Sequence, residues 1–241
     1  VEAVNGTNVA DDPLPPVVDY TAAADNPELV HRAHGSNLIG SMAGRPLESL
    51  AEEFDGAAHV VAETIHQQAY TAVPMECRGI VVDHDPATGH VTLHAATQAP
   101  HEVRQFCARL LGIPDDRVRV VMRDVGGGFG QKVVVQRDEM CIMLAGLQVA
   151  APVKWVEDRR ENLMSAGQAR REHGEARIAF DDDGAIRAMA IDYVSDCGAY
   201  PSPWPVGSSA AVGMLFPGPY RVPAATFSIA NVYTNTVGRA P

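Results

Sequence analysis

Residues 117–150 constrain this chain more than any other stretch. Arg117-Val118-Arg119-Val120-Val121-Met122-Arg123 is a β-branched run, and it leads into Asp124-Val125-Gly126-Gly127-Gly128-Phe129-Gly130-Gln131-Lys132. Four glycines within five positions remove Cβ atoms, so the backbone can take positive φ and lie directly against a bulky ligand. From Gln136 to Ala150 the chain is apolar nearly all round, through Met140, Ile142, Met143, Leu144 and Leu147. That composition predicts a buried helix, with Asp138 and Glu139 in the first turn where the helix dipole favours acids. The local architecture expected is strand, glycine loop, buried helix, and backbone amides at such a junction can receive an anionic group. A tight turn between strand and helix accounts for the glycines equally well, so the flanking sequence has to decide.

On either side, helices and hairpins alternate. Leu50 and Phe54 at i, i+4 mark a short helix, and His59 to Gln67 suits a strand. Gly79 to His84 and His90 to Ala95 flank Asp85-Pro86-Ala87-Thr88-Gly89, whose Pro and Gly set a reversal. Pro100 stands at a first helical position, Val103, Phe106, Cys107 and Leu110 repeat on one face, and Gly112 ends the helix. Val153 to Asp158 reads as a strand. Glu172 to Phe180 and Ile186 to Ser195 form a second hairpin around Asp181-Asp182-Asp183-Gly184, an ordinary acidic turn without the alternating carboxylates and terminal Glu of a calcium loop. Phe227 to Thr234 is strand-like again. The fold class expected is α+β, with mixed sheets, β-hairpins and packed helices. Residues 1–30, rich in Pro and Ala with little apolar periodicity, read as an extended linker from a preceding domain, and 31–241 as one domain region.

With 19 basic residues against 30 acidic ones and a formal charge of -11, a nucleic-acid surface is a poor expectation, because phosphate binding needs clustered Lys and Arg. Cys77, Cys107, Cys141 and Cys197 form no C-x-x-C pair and read as reduced, mostly buried thiols. The N-terminus has no basic segment followed by an apolar run, and no stretch approaches a membrane span, so a cytoplasmic location is expected. No nucleophile elbow, P-loop or H-E-x-x-H occurs, and the dinucleotide fingerprint fails because Lys132 stands where a later Gly is required.

Four blocks in order carry a resemblance: Pro74-Met75-Glu76-Cys77-Arg78-Gly79, Thr97-Gln98-Ala99-Pro100-His101, the loop from Asp124 to Lys132, and Val153 to Asn162. Their order and spacing resemble the molybdenum-binding large subunit of the xanthine oxidase family (the molybdenum hydroxylases). The carbon monoxide dehydrogenase and aldehyde oxidoreductase large subunits are the branch most similar. The resemblance implies that this chain is the N-terminal portion of such a subunit and the first part of its molybdopterin-binding region. It implies that Gln98 matches the glutamine whose amide hydrogen-bonds an oxygen ligand of the molybdenum. It also implies that Gly127, Gly128, Phe129 and Gly130 match the loop passing over the metal and its pterin, with Gln131 beside them. Gln98 and Phe129 are thereby the candidates for the catalytic site, and Gln98, Gly127, Gly128, Phe129, Gly130 and Gln131 for cofactor binding, with no side chain expected to ligate the metal. Glu76 and Arg78 read equally well as salt-bridged structural residues.

The same resemblance implies an oxidoreductase that hydroxylates an aldehyde or aromatic N-heterocycle, or oxidises CO, with water as the oxygen source. Its cofactors would be molybdopterin, including the cytosine dinucleotide form, with FAD and 2Fe–2S clusters on partner subunits. The partners implied are the remainder of the large subunit, an FAD-binding medium subunit and an iron–sulfur small subunit, assembled as a dimer of heterotrimers. Two departures stand out. Val133 follows Lys132 where the purine-oxidising branch has a substrate-reading Glu, and the family's general base and its substrate loop, which carries copper in the CO branch, match nothing in this chain. A non-catalytic assembly module that keeps the fold without the metal is the alternative those departures raise.

Overall fold

The computed structural model describes residues 14–201 and 211–240; the readings placed on 1–13, 202–210 and 241 lie outside the described residues. Two mixed sheets organise the chain, in agreement with the α+β expectation. In the four-stranded sheet the order is β5 (Val118–Val121), β4 (His90–Ala95), β3 (Gly79–Asp85), β6 (Val153–Val156). Strands β3 and β4 form the expected hairpin, and β6 lies antiparallel to β3. Strand β5 runs parallel to β4. A parallel neighbour requires a crossover, which helix α2 (Pro100–Leu111) supplies. It starts with Pro at its first turn and ends on Gly112 at φ 68°, a left-handed cap that suits glycine.

Burial alternates along β3, with Ile80 and Val82 inside, as the period-two pattern requires. These residues form one core with Val91, Leu93, Cys107 and Met143. Helix α3 (Arg137–Gln148) departs from the expectation of burial all round. Only Glu139, Met143 and Gly146 are buried, while Cys141 and Leu144 are exposed. The helix lies on one face of a single sheet, so a stripe at i, i+4, i+7 is buried, Ile142 and Leu147 pack beside it on the core, and Cys141 and Leu144 face away. The cysteines divide for the same reason: Cys107 and Cys197 are buried, Cys77 is half-buried, Cys141 is exposed, and all four are free.

Gly146 lets α3 approach β3, since a Cβ there would lie 2.4 Å from Val82 Cγ1 and 2.9 Å from Val82 Cβ. We expect Gly146→Ala to cost about 1–3 kcal/mol through overpacking. Chemical unfolding would check this, and an unchanged midpoint would contradict the close approach.

The five-stranded sheet has the order β1 (Leu38–Ala43), β9 (Ala224–Val232), β8 (Ile186–Asp196), β7 (Gln168–Phe180), β2 (His59–Thr71). Its hairpin of β7 and β8 turns at Asp181–Gly184 as expected. Strand β2 pairs with β7 along its whole length, from His59↔Phe180 to Thr71↔Gln168. Strand β9 runs parallel to β8 and carries β1 on its other side. Leu50, which directly precedes helix α1 (Ala51–Asp55), packs on Ala179, Ala188 and Ala224. Val17, Tyr20 and Ala23 of the leading segment form a small core with Val232. Strand β1 and helix α4 (Arg159–Ser165) had no counterpart in the periodicity. Among the described residues no helix is long and apolar enough to cross a membrane.

Candidate functional site

The glycine loop connects β5 to α3, and its backbone is held in the left-handed region at Gly127 (φ 93°), Phe129 (φ 51°) and Gly130 (φ 82°). Positive φ is unremarkable for glycine but uncommon for phenylalanine. Phe129 takes it with its side chain largely in solvent, at 68% relative exposure. The N–H of Gln131 donates to Gly128 O (3.0 Å) and that of Val133 to Gly130 O (3.3 Å), which closes the loop on itself.

Gln98 reaches the loop from the connection between β4 and α2. Its Oε1 accepts the Gly130 N–H at 3.2 Å. Its own N–H donates to Lys132 O at 3.2 Å, and Thr97 Oγ1 donates to the same carbonyl at 2.9 Å. A Cβ at Gly128 would stand 2.2 Å from Gln98 Oε1 and 2.7 Å from Cδ, so the missing side chain is what lets Gln98 lie against the loop. Among the described residues the N–H groups of Gly127, Gly128 and Phe129 meet no acceptor, and neither does Gln98 Nε2. Unpaired donors of this kind, on a loop stripped of side chains, suit an oxygen-rich or anionic ligand.

The structure thus brings Gln98, Gly127, Gly128, Phe129 and Gly130 together. Gln131 follows the loop with its side chain turned inward and fully buried. Its Oε1 accepts from Asn162 Nδ2 (2.8 Å) and its Nε2 donates to Gly167 O (3.4 Å). Gln131 therefore braces the loop from beneath. No group of three or more His, Cys, Asp or Glu that could hold a metal ion occurs among the described residues.

Glu76 and Arg78 serve opposite sides of their block. Glu76 faces the loop: its Oε2 accepts the Gly126 N–H at 2.9 Å and Lys132 Nζ at 2.8 Å. The Lys132 bond, then the Gly126 bond, holds the Glu76 carboxyl below its usual range. A depressed folded value means this anchor is in force above the ordinary carboxylate range and is lost as pH falls through the depressed value. Arg78 faces the interior, where it joins Glu157, Asp138 and Glu139. Burial pushes the Glu139 carboxyl up, against the Gln136 N–H bond and the Arg78 charge, which lower it.

Lys132, Asn162 and Glu157 were not singled out from the sequence by role. Lys132 is one of only two lysines, a signal that could have marked it. Helix α4 carries Asn162, and it begins with a reciprocal capping box in which Asp158 Oδ1 accepts the Glu161 N–H (2.7 Å) and Glu161 Oε2 accepts the Asp158 N–H (2.9 Å). Arg159 at its first turn also donates to the carbonyls of Pro74 and Met75, tying the helix to the Glu76 block. Asp158→Ala should cost about 1 kcal/mol as a lost N-cap. A thermal melt of the variant would read it, and an unaltered melt would show that the box is idle.

Comparison with known proteins gives a consistent result. Residues 30–240 match the molybdopterin cofactor-binding domain. The chain is 33% identical over 252 aligned residues to the carbon monoxide dehydrogenase large chain of Hydrogenophaga pseudoflava, covering 97% of this chain and 31% of that protein. It is 36% identical over 187 residues to the nicotine 6-hydroxylase large subunit of Paenarthrobacter nicotinovorans, covering 76% and 23%. Among solved structures, quinoline 2-oxidoreductase from Pseudomonas putida 86 superposes with a TM-score of 0.84 at 32% identity, over 95% of this chain and 29% of that one. The chain spans about a third or less of the length of these relatives.

Proposed function

The chain belongs to the molybdopterin cofactor-binding domain family, related to the large subunits of the carbon monoxide dehydrogenase branch, and on that premise we propose that it forms the loop side of a molybdopterin site in a molybdenum hydroxylase. The observation that carries the proposal is the set of unpaired donors, Gly127, Gly128 and Phe129 N–H with Gln98 Nε2, gathered on one Cβ-poor loop. When bound, the group would supply the two-electron redox chemistry by which oxygen from water enters the substrate.

The chain's own part is to bind and orient. Gln98 would present a neutral donor, which orients an oxygen atom without adding a competing charge. The three amides would add fixed dipoles at no reorganisation cost. The exposed Phe129 ring would cover the site and shield it from water. Gln131 would act only from beneath, through its bonds to Asn162 and Gly167.

The substrate class proposed is an aldehyde, an aromatic N-heterocycle or CO, because Val133 offers no acidic group of the kind that reads a purine. The general base and substrate loop would come from the remainder of the large subunit. Electrons would leave through 2Fe–2S clusters and FAD on small and medium partner subunits. Dye reduction by the intact complex, assayed against one substrate of each class, tests this reading. Turnover of one class is expected; a molybdenum-loaded complex that reduces dye with none of the three would refute it.

A further inference from the structure

One carboxylate grips both ends of the glycine loop. Glu76 Oε2 accepts from Gly126 N–H at the start and from Lys132 Nζ at the end, and the Glu76 N–H returns a bond to Gly126 O at 3.1 Å. Lys132 has a fully buried side chain and no other acceptor for its ammonium among the described residues. A buried lysine is tolerated only when paired, so this contact fixes where Lys132 can be. The position of Lys132 in turn sets Gln98, because its carbonyl accepts both the Gln98 N–H and Thr97 Oγ1. Gln98 then returns to the loop at Gly130. The bonds close a ring, from Glu76 through Gly126, the open amides, Gly130, Gln98 and Lys132 back to Glu76.

We infer that Glu76 and Lys132 are a positioning pair that presets the open amides of Gly127–Phe129 and the Gln98 amide for the cofactor. This rests on the molybdopterin reading for its ligand but not for its geometry. The Lys132 ammonium is buried and engaged by Glu76, and the pair acts through the loop it holds. Close packing of the Glu76 stem against the loop supports the same role, since a Cβ at Gly126 would lie 2.5 Å from Glu76 Cβ.

The test uses the intact complex with wild-type chain, E76A, E76Q, K132M and the E76Q/K132M double variant. Three quantities are read: deuterium exchange of the bonded amides of Gly126, Gly130 and Gln131, pterin and molybdenum per complex, and the electron paramagnetic resonance signature of the metal. E76A should speed exchange at these amides and weaken cofactor retention by about tenfold, the low end for loss of an outer-shell support. Its remaining loaded fraction should show a shifted signature. E76Q keeps an oxygen for Gly126 but loses the charge for Lys132 and should fall between, and the double variant should be no worse than K132M alone. Should E76A fail to assemble, E76Q and K132M decide. Wild-type exchange, content and signature in those two would overturn the inference, as would a lowered melting temperature with an unshifted signature. A wild-type complex without pterin would sink the cofactor reading, while faster exchange in E76Q would still uphold the clamp.

Discussion

Arg78→Met is expected to destabilise the protein by about 3–5 kcal/mol, the penalty for breaking a buried ion pair from one side. The Arg78 side chain is 1% exposed and its principal partner Glu157 is 0% exposed. Arg78 Nε donates to Glu157 Oε1 at 3.0 Å and its backbone N–H to Glu157 Oε2 at 3.1 Å. Its Nη2 reaches Asp138 Oδ2 at 2.8 Å, and Nη1 lies 3.6 Å from Glu139 Oε2. The guanidinium also sits over Trp155, 5.3 Å from the ring centroid. Methionine fills much of this volume but leaves Glu157 with only Asn162 and a backbone N–H as donors. Lysine is no remedy, because a single ammonium cannot serve three carboxylates as the planar fork does. Adding Glu157→Met should recover much of the loss, since an apolar pair avoids the desolvation penalty. Urea unfolding of the complex would measure both variants, and an R78M midpoint matching wild type would show the network to be dispensable.

Gly128→Ala is expected to separate function from stability. The added Cβ would meet the far end of the Gln98 side chain, Oε1 at 2.2 Å and Cδ at 2.7 Å, before anything else. Gln98 is exposed, so it can swing aside and the fold should change by less than about 1 kcal/mol, as for surface substitutions. Swinging aside breaks the bond to Gly130 N–H and takes the Gln98 amide from the loop. We expect turnover to fall by about 10–100-fold, the usual effect of displacing an orienting group near a metal. Steady-state assay beside a thermal melt would show it. An active, unaltered variant would mean that the contact between Gln98 and Gly128 is incidental.

Much of the fold could be read where a local pattern has one structural solution. The β3–β4 hairpin follows from two alternating runs around a Pro and Gly turn, and α2 from a stripe between Pro100 and Gly112. Helix α3 shows the limit: apolar composition reports what could be buried, not which side has a neighbour, so Cys141 and Leu144 are exposed. Strand β1 escaped because Gly40 and Ala43 have weak strand preference. Helix α4 escaped because its seven residues are mostly polar, although Asp158 and Glu161 stand at capping-box spacing. At the site, the glycines pointed to a loop, but the pairing of that loop with Gln98 came from resemblance. Glu76 and Lys132 meet across 56 positions, a distance no periodicity spans.

The central claim is that the Gln98-bound glycine loop holds a molybdopterin. Molybdenum and pterin analysis of the intact complex carrying this chain, purified without chelators, tests it most directly. The account predicts stoichiometric molybdenum and pterin in the wild type and a marked loss in E76A. An intact, correctly folded wild-type complex with neither molybdenum nor pterin would contradict it.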